Sequence, residues 1–337
     1  MQGSHDVVQL AMKLMAIDST SGREGAVIDW LEGYLKRAAW HVRRIPVTAG
    51  RDDLLATNGE KPSVTLSTHL DTVPPFIPPR LDGDTLWGRG ACDAKGIAAA
   101  MIVAAERLRT DNVPVALLFV VGEEVSHDGA EAANRASAGS TVLINGEPTE
   151  STLASGTKGA MRFIVRTRGE AAHSAYPHLG KSAITELVRL LAELETLTLP
   201  SDPDLGATTI NIGVISGGVA DNVMAPTAEA RLMARLVTPP ETIVALLRAW
   251  LRDRAEFEQR ITVPLVRLTT LPGFPTSVAA FATDIPKLTN WGTPYLFGPG
   301  SVHAAHRDSE HVHVSELRAA VDRYVEIALV ALARVKG

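Results

Sequence analysis

Apolar positions along the chain gather into compact runs divided by glycine- and proline-bearing breaks. Residues 64–68, 115–121 and 142–144 are β-branched or almost wholly apolar. Near-continuous runs of that kind predict strands buried on both faces. Residues 94–108, between the first two runs, are alanine-rich with a helical pattern, and residues 5–38 read as helical around an amphipathic stretch. Strands alternating with helices predict a mostly parallel α/β sheet. From about residue 159 the rhythm changes: a strand over 161–167, a helix over 181–197, strands over 207–215 and 229–236, a helix over 240–252 and a last strand over 261–268. That β-α-β-β-α-β order predicts a small ferredoxin-like α+β sandwich inserted into the first domain. A helix over 314–335 closes the chain. The expected division is therefore 1–157 with 270–337 for the main α/β domain, and 158–269 for the insertion.

Length agrees with two domains, since 337 residues is about twice the ~150-residue norm. The net charge of −5, with no run of Lys or Arg, gives no support to nucleic-acid binding. The first six residues lack the charged-then-apolar pattern of a secretory leader. The longest apolar run, 113–121, is far short of the ~20 residues that span a bilayer. These features predict a cytoplasmic protein with no membrane partner. Cys92 is the single cysteine, so no internal disulfide can form, and a small buried filler is the expected role.

Candidate chemistry sits where such a sheet places it, at the carboxyl ends of strands. His69 follows the first run, Glu123 and Glu124 follow the second, and Glu147 follows the third. Two adjacent acids ending an apolar run are costly unless something neutralises them. A cation would bind one, leaving the other free as a general base. Asp71, two residues after His69, could accept the second imidazole N–H and fix the tautomer of a metal-bound ring. Asp93 lies in the glycine-rich Gly88-Arg89-Gly90-Ala91-Cys92-Asp93-Ala94-Lys95-Gly96. Its spacing matches neither a dinucleotide-binding nor a Walker loop. Near the C-terminus His303, His306, His311 and His313 crowd one stretch; His311 and His313 alternate with valines, which predicts a short strand. Taken singly, each of these residues also reads as an ordinary surface histidine or turn carboxylate. Other hydrolase schemes find no footing: the chain lacks G-x-S-x-G and H-E-x-x-H, and offers one cysteine among scattered histidines.

The motifs, in order, resemble the M20 family of metallopeptidases and deacylases over nearly the whole chain. They are Ser67-Thr68-His69-Leu70-Asp71-Thr72-Val73-Pro74, the glycine-rich 88–96 segment, Gly122-Glu123-Glu124, Gly146-Glu147-Pro148, Ala172-His173-Ser174-Ala175-Tyr176-Pro177, Gly298-Pro299-Gly300-Ser301 and Ala305-His306-Arg307-Asp308-Ser309-Glu310. The resemblance implies two divalent ions per chain, with zinc the expected metal and cobalt or manganese as alternatives. It implies that Asp93 bridges them, that His69 and Glu147 complete one site, and that Glu124 and His306 complete the other. It selects His306 because the family's ligand stands four residues before a glutamate, here Glu310. It further implies a cis peptide after Asp93, and Glu123 and Asp71 in catalytic roles, Glu123 as the base. The insertion would be the family's lid and homodimer contact. His173 would reach the partner's site to steady an oxyanion, and Asn222, Arg235 and Gly300 would bind substrate.

The activity so implied is amide hydrolysis by a water that two ions, ~3.5–4 Å apart, bridge and acidify. The segment from Asp71 to Gly96 and the short chain look most like the acetylornithine and acyl-lysine deacylases. The expected substrate is an N-acyl amino acid, in an acetylornithine deacetylase-like reaction of amino-acid biosynthesis. The alternatives are a di- or tripeptidase acting on short peptides, a succinyl-diaminopimelate desuccinylase, and a non-catalytic binding relative. His173 to Leu179 looks closer to the desuccinylases, but those carry Arg-Arg-Gly where this chain has Thr157-Lys158-Gly159.

Overall fold

The computed structural model of the protein describes residues 6–59, 61–136 and 139–336. The chain forms two compact units. One comprises Met1–Ser155, Leu268–Ser277 and Thr283–Gly337; the other comprises Gly156–Arg267 and Val278–Ala282.

The first unit is built on a six-stranded sheet in the order His41–Thr48, Arg51–Thr57, Val115–Val120, Val64–His69, Val142–Asn145, Thr293–Leu296. The last four strands run parallel, and the first two form an antiparallel hairpin on one edge. Val64–His69, Val115–Val120 and Val142–Asn145 are buried throughout, as their unbroken apolar runs require. Their side chains alternate between two cores. Val115, Leu117 and Phe119 join the helices Val7–Met15, Gly25–Arg37, Lys95–Thr110 and Val314–Lys336 on one face. Ala116, Leu118 and Val120 meet Trp291, Leu288 and the helix Asp128–Arg135 on the other. Among the described residues no helix is long and apolar enough to cross a membrane.

The first helical stretch departs from expectation. Instead of continuing over 5–38, the helix breaks into Val7–Met15 and Gly25–Arg37. Local hydrogen bonds take the backbone away from the helix. Asp18 accepts from the Thr20 N–H and hydroxyl, at 2.9 and 2.7 Å, and Gly22 adopts φ 94°. The intervening segment is thereby laid along the end of the His69 strand, where Thr20 bridges Thr72 and the Ser19 hydroxyl donates to the Leu70 carbonyl at 2.6 Å.

The second unit is a four-stranded antiparallel sheet ordered Thr209–Gly217, Thr227–Leu236, Gly159–Arg168, Glu256–Val263. The helices Ala183–Leu194 and Pro240–Leu251 share a core with it, built from Met161, Phe163, Val165, Leu187, Leu190, Leu247 and Trp250. The order of elements is the expected β-α-β-β-α-β. The last strand is shifted: it ends at Val263 rather than running over 261–268. Pro264 has no N–H to extend the ladder, and Val266 and Arg267 instead pair with Thr157 and Gly156.

Candidate metal centre

Five segments of the first unit, carrying His69, Asp93, Glu124, Glu147 and His306, bring their side chains together near the carboxyl ends of the parallel strands. His69 ends its strand and is buried. Its Nδ1 lies 2.9 Å from the main-chain oxygen of Asp71 and 3.5 Å from that residue's carboxylate. The tautomer is thus held chiefly by the Asp71 carbonyl, not by the carboxylate expected from the sequence. The carboxylate works elsewhere. It accepts from the Ser21 hydroxyl at 2.8 Å and from the backbone N–H groups of Glu123 and Glu124 at 3.1 and 3.2 Å. Asp71 therefore ties the histidine-bearing strand end to the two-glutamate turn.

His69 Nε2 lies 3.0 Å from Asp93 Oδ1. The second oxygen of Asp93, Oδ2, lies 3.2 Å from His306 Nε2, and that same nitrogen is 3.1 Å from Glu124 Oε1. Glu147 Oε2 stands 4.0 Å from His69 Nε2. One carboxylate thus divides its two oxygens between two imidazoles, each imidazole having a glutamate of its own. The Asp93–Ala94 peptide bond is cis.

Electrostatics of the cluster call for positive charge. Burial pushes Glu123 and Glu147 well above the usual carboxylate range, each reinforced by neighbouring acids. Burial also raises Glu124. Burial opposes protonation of His69, but Asp71 and Asp93 outweigh it and hold its pKa well above the ordinary value. Hydrogen bonds to Asp93 and Glu124 raise His306 to about 10. Burial works against ionised Asp93 too, yet the His306 and His69 rings facing it keep it below the usual range. Glu147 Oε1 is buried with no hydrogen-bond partner. An orphaned carboxylate oxygen beside two imidazoles and two further acids is a donor set that fits divalent cations. The donor atoms of His69, Asp93 and Glu124 lie within 4.8 Å of one another.

Gly300 is buried beside the Asp93 loop, where an added Cβ would stand 2.7 Å from Cys92 Cβ; its carbonyl accepts from Glu150 N–H at 2.9 Å. Cys92 is fully buried and burial raises its thiol pKa, in keeping with a filler role. His173, Asn222 and Arg235 belong to the second unit. There His173 bridges Val223, and the carbonyl of Asn222 accepts from Ser174 N–H at 3.0 Å. His173 Nδ1 accepts from Ala175 N–H at 3.2 Å, which leaves the ring proton on Nε2. Arg235 is half-buried on its strand opposite Thr209 and Ala160. The pairing of His311 and His313 with Trp87 and Thr85 makes the short strand expected there.

Sequence reasoning missed the role of Glu310, which served only as a marker for His306. Its buried carboxylate accepts from Arg89 at 2.7 Å and from the backbone N–H groups of Gly90, Cys92 and Asp93 at 2.9, 3.3 and 3.2 Å. It also missed His127 and Asp284, whose side chains meet at 2.8 Å beside Glu123. These partners lie 157 or more residues apart in the chain; the cue available was a charged residue beside a glycine-rich turn.

The chain is similar to known proteins over most of its length. The family model described as "Peptidase dimerisation domain" matches residues 155–258. A Schizosaccharomyces pombe protein described as "Peptidase M20 domain-containing protein" is 38% identical, over 96% of this chain and 84% of its own. A "Probable carboxypeptidase" of Paracoccidioides brasiliensis is 36% identical, over 97% of this chain and 86% of its own. A solved tripeptidase from Staphylococcus aureus shares the fold, with a TM-score of 0.82, 20% identity and coverage of 98% of this chain and 99% of that one. A buried carboxylate shared between two imidazoles at the strand ends of an α/β unit, in a chain alike to these proteins over nearly its full length, places it among metal-dependent hydrolases of amide bonds: it belongs to the M20 peptidase family.

Proposed function

We propose that the chain is a two-metal hydrolase that releases an amino acid bearing a free carboxylate from the amide bond it forms with an acyl partner. The acyl partner is the rest of a short peptide, so the activity is that of a carboxypeptidase. An N-acetyl amino acid, the substrate expected from the sequence, is a small molecule with the same bond and the same leaving group. The observation that carries this reading is the division of the Asp93 oxygens between His69 and His306, at 3.0 and 3.2 Å.

His69, Asp93 and Glu147 would hold one ion, and Asp93, Glu124 and His306 the other. Ions bound there supply Lewis acidity, polarising the acyl carbonyl and making a neighbouring water more acidic. Glu123 is the general base. Its burial and its acidic neighbours raise its affinity for a proton, which suits a group that takes a proton from water and hands it to the leaving nitrogen. His173, with its proton on Nε2, would donate to the oxyanion from the other copy in a homodimer. Arg235 offers the bidentate fork that suits a substrate carboxylate. The carboxypeptidase reading is supported by the description of the Paracoccidioides relative. A succinyl-group reader is disfavoured, because Thr157-Lys158-Gly159 stands where the desuccinylases carry Arg-Arg-Gly, and a lysine lacks the bidentate fork of arginine.

The test is a kinetic panel after chelation and reloading with zinc, cobalt or manganese. It comprises N-acetyl and N-succinyl amino acids and short peptides blocked at either end. The expected result is turnover that survives N-terminal blocking and disappears on C-terminal amidation. Turnover that needs a free amino terminus and accepts the amide would overturn the reading in favour of a tri- or aminopeptidase. Glu123→Gln should keep its metal and lose most turnover.

A further inference from the structure

Glu123 has a neighbour that the two-ion scheme does not use. Its Oε1 lies 3.8 Å from Nδ1 of His127, and that nitrogen lies 2.8 Å from Oδ1 of Asp284. All three side chains are largely withdrawn from solvent, Asp284 to 1% exposure. Among the described residues His127 is the only hydrogen-bond partner of the Asp284 carboxylate. The Asp284 carboxylate accepts the Nδ1–H and so sets the orientation of the ring. The ring edge then stands between two buried carboxylates, against the base.

The backbone presents His127 in a fixed way. The Gly122 carbonyl accepts from both Ser126 and His127 N–H groups, at 2.9 and 2.8 Å, and His127 takes φ 58° immediately before the helix Asp128–Arg135. A plain tether between that helix and residues 283–291 would not need this pair. Lys287 reaches Glu131 at 2.6 Å, Asn290 N–H reaches Asn134 at 2.8 Å, and Trp291 Nε1 donates to the Ala133 carbonyl at 3.3 Å. The contact is already secured without His127 or Asp284.

We propose that His127, oriented by Asp284, is a positioning residue for Glu123: it confines the base carboxylate to the place from which it exchanges protons with water and the leaving group. This rests on the function proposed above. Displacing a reacting group by about 1 Å costs on the order of 100-fold in rate, so a ring that confines the base governs kcat more than substrate binding.

The experiment uses the metal-loaded full chain and two variants compatible with a left-handed backbone, His127→Gly and His127→Asn. Glycine removes the ring, whereas asparagine restores an N–H donor near the Nδ1 position. The expected result for H127G is a ~10–100-fold fall in kcat, with KM, bound metal and Tm near wild type. H127N should recover at least ten-fold over H127G, and added imidazole should partly restore H127G. Wild-type kcat in H127G, or a loss that follows metal content or Tm, overturns the role. So does a third metal equivalent that vanishes in H127G, because Glu123, His127 and Asp284 are themselves close enough to hold an ion. A wild type inactive across the whole panel sinks the proposed function and this role with it; an active wild type with an unimpaired H127G sinks this role alone.

Discussion

Arg89 and Glu310 form an ion pair sealed from solvent, 2.7 Å apart, with side chains 2% and 0% exposed. Burial pushes the Glu310 carboxyl above its usual range, and Asp93 nearby adds to this. The other Glu310 oxygen gathers backbone N–H groups of the loop that carries Asp93. The pair is therefore a clamp on the loop that presents Asp93, the proposed bridging ligand. Glu310→Gln should leave Arg89 buried without its counter-charge and cost ~3–5 kcal/mol of stability. It should also weaken metal binding by ~10–100-fold, the effect of losing an outer partner of a metal ligand. Urea unfolding and metal titration measure the two losses. A destabilised variant with unchanged metal affinity would separate the clamp from the presentation of Asp93.

Gly96 is held to the same loop by close approach. A Cβ there would lie 2.1 Å from the Ala91 carbonyl oxygen, while Gly96 N–H donates to Gly90 at 3.0 Å. The obstacle is backbone, so it cannot swing aside. Gly96→Ala should cost ~1–3 kcal/mol and lower the bound-metal stoichiometry through displaced Asp93. Thermal unfolding with and without chelator reads both: the variant should lose most of the Tm increment that metal gives the wild type.

Much of this candidate centre could be read from the chain because most of its proposed ligands follow apolar runs. His69, Glu123, Glu124 and Glu147 each come at or just after the end of a buried strand, and a run of apolar residues announces its own end. Asp93 was visible from the glycines around it. Glu310, Arg89, His127 and Asp284 were not, because each is a polar residue whose meaning lies in a partner far along the chain, and no local period marks such a pairing. The fold shows the same division. The order of strands and helices in the second unit was legible, whereas Thr293–Leu296 is only four residues long and carries a proline. The break between the first two helices was hidden because the helical pattern resumes after it, while Asp18 and Gly22 turn the backbone between.

Metal binding should release protons. In the ion-free protein His306 is raised to about 10 by its bonds to Asp93 and Glu124, and a ligand imidazole must be neutral. Apparent metal affinity should therefore climb as pH rises from ~6.5 towards 10. Calorimetry in buffers of different ionisation enthalpy measures the protons released. The chelated protein should behave oppositely. A raised histidine pKa gives stability that is complete below ~6.5 and lost as pH rises through about 10. A chelated protein that gains stability over that span would contradict the assignment.

Asp53 gives the clearest pH signature outside the centre. Its Oδ1 accepts from Val121 N–H at 3.0 Å, and its Oδ2 is buried without a partner. Burial, aided by the negative charge of Asp284, pushes its pKa from 3.8 up to about 8. Between those values the folded chain holds a proton that the unfolded chain has released. Stability from this group is complete below ~4 and falls as pH rises through ~8, because folding then requires a buried, unpaired charge. Asp53→Asn keeps an acceptor for Val121 and removes the titration. The variant should gain on the wild type by roughly 2–5 kcal/mol between pH 5 and 8, with little difference at pH 4. Urea unfolding at one-unit intervals tests this: parallel stability curves for the two proteins would mean that Asp53 stays ionised in the fold.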